Sequence, residues 1–192
     1  CQAVGNMLAR LHLAAADMPR HVPNPCGAAW RQSTGARLLP LLSRDEQALL
    51  GDELRFQSGQ DYASLPRGII HADLFRDNVL WDSSGQLSGV LDFYFAGEDA
   101  WLFDLAVVAN DWCDDALALA ALLDGYVRQR PLSEAEIQAW PAMRRAAALR
   151  FWLLRLEVRH QPRTGEVVTI KNPDHFMAML TRFRLAPEAM PR

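Results

Sequence analysis

Apolar positions recur along this chain at two spacings, and the change from one to the other divides it into regions. Val4, Met7, Leu8 and Leu11 follow the i, i+3, i+4, i+7 rule, which predicts an amphipathic helix over residues 4–16. Pro19, Pro23 and Pro25 forbid its continuation, and residues 17–40 read as a long irregular crossing. Order resumes at Ser43, which forms a capping box with Glu46. The apolar residues Leu49, Leu50 and Leu54 then carry a helix over residues 44–57. Between residues 68 and 95 the pattern shortens to apolar runs at Ile69 and Ile70, at Val79 to Trp81 and over residues 87–93. These predict short strands, the last two paired as a hairpin across the turn Asp82-Ser83-Ser84-Gly85. Helical spacing returns over residues 103–112 and 115–130, and again from Ser133, which is boxed by Glu136. Pro141 is expected to open a long helix to residue 160, and Asn172 with Pro173 a last one through residue 184. The predicted class is α+β, predominantly helical, with one small β-hairpin.

Composition adds limits. The 192 residues are 50% hydrophobic and 22% charged, ordinary for a chain that buries a core in one lobe. A net charge of -3, with Lys171 the sole lysine among 20 basic residues, lacks the clustered cations that a nucleic-acid partner requires. No apolar run reaches the roughly 20 residues of a membrane span, and the run Phe151-Trp152-Leu153-Leu154 is interleaved with arginines 144, 145, 150, 155 and 159. No membrane partner is expected. Cys1, Cys26 and Cys113 are odd in number and match no metal or disulfide spacing, which fits a reducing, cytoplasmic setting. The chain opens at Cys1 and enters a helical pattern almost at once, as though an earlier part preceded it.

One segment interrupts its apolar framework with polar residues that packing does not explain. His71, Asp73 and Asn78 have the spacing H-x-D-x-x-x-x-N, and Asp92 follows at the end of the apolar run that begins at Leu87. A lone H-x-D is an ordinary turn aspartate beside a packed histidine. The whole set, placed between short strands, points instead to a phosphotransferase loop. There a carboxylate meets the acceptor hydroxyl while an amide oxygen reaches a Mg²⁺ on the phosphates. A carboxylate closing an apolar strand is costly to bury unless it is paired or bound to a cation, which assigns Asp92 to the same metal. His71 is expected to order the loop by a hydrogen bond, and Asp77 to be solvated or loop-capping.

Gly68-Ile-Ile-His-Ala-Asp-Leu-Phe-Arg-Asp-Asn78 and Ser88-Gly-Val-Leu-Asp-Phe-Tyr-Phe-Ala-Gly97 resemble the catalytic core of the aminoglycoside phosphotransferase and choline kinase superfamily. Within those small-molecule kinases of protein-kinase-like fold, they are similar to bacterial homoserine kinases. Leu8-Ala-Arg-Leu-His12-Leu13, Asp104-Leu-Ala106, Asn110-Asp-Trp-Cys113 and Lys171-Asn-Pro-Asp174 extend the resemblance over nearly the whole chain. The resemblance implies ATP and Mg²⁺ as cofactors and phosphorylation of L-homoserine to O-phospho-L-homoserine, a step of threonine biosynthesis. It implies Asp73 as base or orienter for the hydroxyl, Asn78 and Asp92 as Mg²⁺ ligands, and His12 as a residue packed against the loop. Asp104 would brace the loop by accepting backbone N–H bonds, or else be a helix N-terminal carboxylate favoured by the dipole.

The chain also departs from the pattern. Tyr94 follows Asp92-Phe93 where protein kinases carry glycine. There is no Gly-rich phosphate loop and no lysine before Lys171. Residues 1–192 therefore read as the C-terminal lobe of a small-molecule kinase, without the N-terminal nucleotide lobe, expected to fold but to be inactive alone. A zwitterionic substrate asks for an acid, with Glu98, Asp99, Asp111, Asp114 and Asp115 available, and for Arg76 or Arg155 at its carboxylate. Tyr94 and Trp112 are expected to wall that pocket, and Trp101 and Trp152 to belong to the core. The competing readings are a kinase for choline, an aminoglycoside or a sugar, a non-catalytic ligand-binding lobe, and a metal hydrolase using His71 and Asp73. The last lacks further His or Cys ligands nearby.

Overall fold

The structure, a computed structural model, describes residues 1–18, 22–160 and 172–191; Pro19 and Lys171 lie outside them. The elements in chain order are α1 (Gln2–Ala14), α2 (Ala28–Leu38), α3 (Arg44–Ser58), β1 (Arg67–Ile70), β2 (Val79–Trp81), β3 (Leu87–Val90), β4 (Gly97–Ala100), α4 (Trp101–Trp112), α5 (Ala116–Val127), α6 (Glu134–His160) and α7 (Asp174–Leu185). The predicted class holds. Both capping boxes form: Glu46 N donates to Ser43 Oγ at 3.4 Å and Glu136 N to Ser133 Oγ at 3.3 Å, while each glutamate accepts from its serine N at 2.9 Å. The hairpin pairs β2 with β3 antiparallel, with Val79 opposite Val90.

Four features differ from the sequence reading. Helix α2 occupies part of the stretch expected to be irregular. Its buried positions, Arg31, Thr34, Gly35 and Leu38, have helical phase, but only Leu38 is a large apolar residue, so hydrophobic periodicity is silent there. Pro141 does not open a helix; it lies inside α6, which runs unbroken from Glu134. Proline costs a helix interior about 3 kcal/mol, which the burial of Trp140, Met143, Ala146 and Ala147 on either side of it offsets. Helix α7 begins at Asp174 rather than Pro173, though Asn172 Oδ1 does accept from Asp174 N at 2.9 Å. Strand β4 has no apolar run of its own. It exists because it pairs antiparallel with β1, Ile70 opposite Gly97 and Arg67 opposite Ala100.

Helix α4 is buried from Leu102 through Asn110 and packs against α6, which in turn carries α7. Helices α1 and α5 cross so closely that a Cβ on Gly5 would lie 2.0 Å from Leu122 O and one on Gly125 2.0 Å from Gln2 O. Only hydrogen fits at either position.

One network of buried polar residues is organised around Asp104. Its carboxylate accepts from His71 N and Ala72 N, both at 2.8 Å, and pairs with His12 Nε2 at 3.1 Å. His12 Nδ1 bonds Tyr126 Oη at 2.8 Å, Arg130 donates to the same hydroxyl at 3.3 Å, and Arg130 pairs with Glu136 at 2.9 Å. Burial is the largest influence on the Asp104 carboxyl and raises its pKa; the His12 hydrogen bond and charge together with the His71 N–H outweigh it and hold Asp104 below the ordinary carboxylate value.

Two expectations follow from this packing. Gly5→Ala or Gly125→Ala should cost about 3 kcal/mol, because the obstructing atoms are backbone and cannot turn aside. Gly51→Ala, where the nearest heavy atom is Arg55 Nη1 at 3.6 Å, should stabilise by up to about 1 kcal/mol. Urea denaturation distinguishes them, and a neutral Gly125→Ala would contradict the close crossing. Asp104→Ala should cost about 3–5 kcal/mol in the same assay by stripping a buried network of its acceptor. Since the folded pKa of Asp104 is depressed, its contribution is present above the unfolded value of 3.8 and is lost as pH falls through the folded one. Asp104→Asn should therefore flatten the acid limb of the stability profile below about pH 4.

Candidate active site

Strand β1 ends at Ile70 and delivers His71, Ala72 and Asp73 to the edge of a cleft. Ala72 has φ of 64°, a left-handed conformation rare for alanine. It is held there because its own N–H and that of His71 are both taken by Asp104. His71 Nε2 bonds Leu91 O at 2.8 Å, and Asp73 N donates to His71 Nδ1 at 3.2 Å. A carbonyl can only accept and an N–H only donate, so these partners fix the tautomer with hydrogen on Nε2. They also leave no imidazole lone pair free for a metal. Further along, Phe75 N donates to Asp73 O at 2.8 Å, Asn78 N to Phe75 O at 3.0 Å, and Asn78 Nδ2 to Asp73 O at 2.8 Å, which closes the turn. With its amide nitrogen committed, Asn78 keeps Oδ1 as a donor oxygen for an ion.

Two further side chains of α4 hold this loop. Asp111 Oδ2 accepts from Arg76 N at 2.8 Å, and Trp112 Nε1 donates to Leu74 O at 3.0 Å. Asp104 and Asp111 are seven positions apart, two helical turns, and so share one face.

The cleft has a volume of about 310 Å³ and is lined by Asp73, Asp77, Asn78, Asp92, Arg155 and an apolar wall that includes Phe75, Phe95 and Phe151. The structure thus brings Asp73, Asn78 and Asp92 together. Asp92 is not a buried strand end: β3 stops at Val90, and Asp92 is exposed, left-handed at φ of 60°, and accepts from Tyr94 N at 3.4 Å. The argument from the cost of burial therefore does not apply to it. Tyr94 and Trp112 do not wall the cleft. Tyr94 is 93% exposed, and Trp112 is engaged with Leu74. Asp77, expected to be solvated, is exposed and still lines the cleft.

Of the candidate acids, Asp114 pairs with Arg76 at 2.8 Å, Asp115 caps α5, and Glu98 and Asp99 line a different pocket. Arg76 is thereby spent outside the cleft. Arg155 lines it, with Nη1 on Asn172 O at 3.1 Å. Trp152 is fully buried, while Trp101 is half-buried and stacks on His12 at 5.7 Å.

Asp73 has a raised pKa: burial pushes it up, and Arg150 opposes that shift with its charge and a hydrogen bond. In the sequence Arg150 stands only as one of the charges that rule out a membrane span. Its signal was its phase, since it falls on the α6 face that carries Ala146, Ala147 and Leu153. The aromatic wall has no signal in the sequence, because local spacing does not separate a phenylalanine that lines a cleft from one that fills a core.

A family model described as the Phosphotransferase enzyme family matches residues 1–149. The chain is 46% identical to a homoserine kinase of Janthinobacterium sp. (strain Marseille), with 100% of the chain and 62% of that protein aligned. It is 44% identical to one of Methylobacillus flagellatus, with 94% and 58% aligned. The chain thus spans about three-fifths of the length of these curated relatives. Among solved structures it resembles an amicoumacin kinase in complex with AMP-PNP and Ca²⁺, at TM-score 0.59 and 17% identity, covering 96% of this chain and 57% of that one. It also resembles an ethanolamine kinase of Plasmodium vivax, at TM-score 0.59 and 15% identity, covering 96% and 58%. These two likenesses establish the shared fold, and the match over residues 1–149 establishes that the chain belongs to the phosphotransferase enzyme family.

Proposed function

We propose that residues 1–192 are the C-terminal, acceptor-side lobe of an ATP-dependent kinase that phosphorylates the hydroxyl of L-homoserine. The observation that carries this reading is the convergence on one cleft of Asp73 and Asn78, from a loop whose backbone Asp104 holds, and Asp92, from the end of the β2–β3 hairpin. The homoserine kinase names of its relatives support the substrate. The AMP-PNP and Ca²⁺ bound to a structure of the same fold support a nucleotide and a divalent ion.

The donor set fits Mg²⁺. Asn78 Oδ1 and the Asp92 carboxylate are hard oxygen donors. Among the described residues no cluster of three or more His, Cys, Asp or Glu forms a closed protein cage. Mg²⁺ commonly takes one or two protein oxygens and completes its shell with phosphates and water. When bound, such an ion neutralises charge developing on the transferred phosphoryl group. Asp73 accepts the hydrogen bond of the acceptor hydroxyl and aims its oxygen at the phosphorus. The phenylalanine wall excludes water from that side. Arg155, the sole cation lining the cleft among the described residues, receives the substrate carboxylate; this favours an amino acid over choline or ethanolamine, which have none. The part of the nucleotide site that covers the phosphates is assigned to the remainder of a full-length protein.

In a full-length protein carrying this chain, Asp73→Ala should lower kcat by about 10²–10⁴-fold in a protein that still folds, its midpoint lowered because Arg150 loses its partner. Asp92→Asn should abolish Mg²⁺-dependent nucleotide affinity measured by calorimetry; wild-type affinity would remove Asp92 from the metal site. Arg155→Met should raise KM for homoserine by about tenfold or more, the loss of one charged hydrogen bond. It should leave unchanged the KM for 3-aminopropanol, which lacks the carboxylate. Equal effects on both acceptors would reassign Arg155 to the phosphates.

A further inference from the structure

We propose that Arg150 is the positioning residue for Asp73, holding one carboxylate oxygen so that the other faces the acceptor hydroxyl. The inference rests on the assignment of Asp73 made above. Arg150 lies on the buried face of α6 with no exposed surface, and its Nη1 donates to Asp73 Oδ1 at 3.2 Å. Its guanidinium carbon is 4.6 Å from the ring centre of Phe95 and 4.1 Å from that of Phe151. Both rings line the cleft and Arg150 does not, so the guanidinium sits behind the aromatic wall, out of reach of substrate.

Stability does not account for this arginine. Its Nε and Nη2 are buried without a hydrogen-bond partner among the described residues. A buried ion pair is commonly no more stabilising than apolar side chains of the same volume in place of both partners. What the arrangement provides is orientation. The bonds from Asp104, Trp112 and Asp111 fix the loop through its main chain, at His71, Ala72, Leu74 and Arg76. None of them constrains the side-chain torsions of Asp73. Arg150 does, from a rigid helix, with its guanidinium packed against the rings of Phe95 and Phe151. Anchored at Oδ1, the carboxylate presents Oδ2 to the cleft, and positioning of this kind is a large share of catalysis in phosphoryl transfer.

The test compares Arg150→Met and Arg150→Lys in the full-length enzyme, measuring kcat, the KM for homoserine and for MgATP, and the thermal midpoint. Arg150→Met should remain folded with a lowered midpoint, because Asp73 loses its partner, keep both KM values within about twofold, and lose about 10²-fold in kcat, the cost of a misplaced reacting group. Arg150→Lys, which restores a cation behind the wall, should recover part of that loss. A folded Arg150→Met with wild-type kcat would overturn the proposal. So would a raised KM at unchanged kcat, or equal losses in both variants that follow their midpoints. Absence of homoserine kinase activity in the wild type would instead strike the functional reading. The contact is then decided by the thermal midpoints of Arg150→Met, Asp73→Asn and the double variant. Shifts that add would reject coupling between the two side chains, and a double variant less impaired than the sum would uphold it.

Discussion

The hold of α4 on the main chain of residues 71–76 is the constraint on which the rest of this structure depends. Asp104 takes two consecutive N–H groups, Asp111 a third, and Trp112 donates to a carbonyl between them. Side chains rather than a β-ladder satisfy this stretch of backbone, so it can keep a non-sheet conformation at the end of β1. Ala72 shows the effect: its left-handed φ of 64° is unfavourable by itself and persists because both flanking amides are spoken for.

Behind that hold stands a polar network that crosses the whole lobe. Glu136, Arg130, Tyr126, His12 and Asp104 belong to α6, the segment after α5, α5, α1 and α4 respectively, and every link is buried. Glu136 also closes the capping box at the start of α6, so helix initiation and loop placement share one residue. Buried networks are stabilising only when each member is satisfied. Here the final acceptor is used three times over, by His12 and two amides. A rigid base of this kind is what lets the loop after β1 present Asp73, Asp77 and Asn78 to the cleft in one orientation.

The cleft divides its chemistry by depth. Oxygen donors suited to a divalent ion stand at its exposed edge, phenylalanine rings form its wall, and the guanidinium of Arg150 lies behind that wall against Asp73. Asp73 sits between the two zones, with 19% of its side chain exposed. It has enough exposure to meet a substrate and enough burial that its carboxylate depends on a neighbouring charge. A kinase only 17% identical to this chain shares its fold, as expected where volume and patterning rather than particular core residues are kept.

By itself the sequence determined amphipathic helices, both capping boxes, the hairpin and the spacing of His71, Asp73 and Asn78 along one loop. Each is a local matter of periodicity, a cap or a spacing within a few residues. Other features were decided only by the tertiary structure. Helix α2 is held by a buried face containing an arginine, a threonine and a glycine; β4 exists through its pairing with β1; and Pro141 is tolerated because the packing on both sides outweighs a lost hydrogen bond. The same division runs through the site. Tyr94, two residues after Asp92, is exposed and not part of the cleft lining, whereas Arg150, 77 positions from Asp73, contacts that carboxylate. A residue's neighbours in sequence reveal its helix phase and its caps. Which distant side chain covers a carboxylate, or which strand completes an edge, depends on how the helices pack, and that is set by the summed burial of surfaces far apart in the chain.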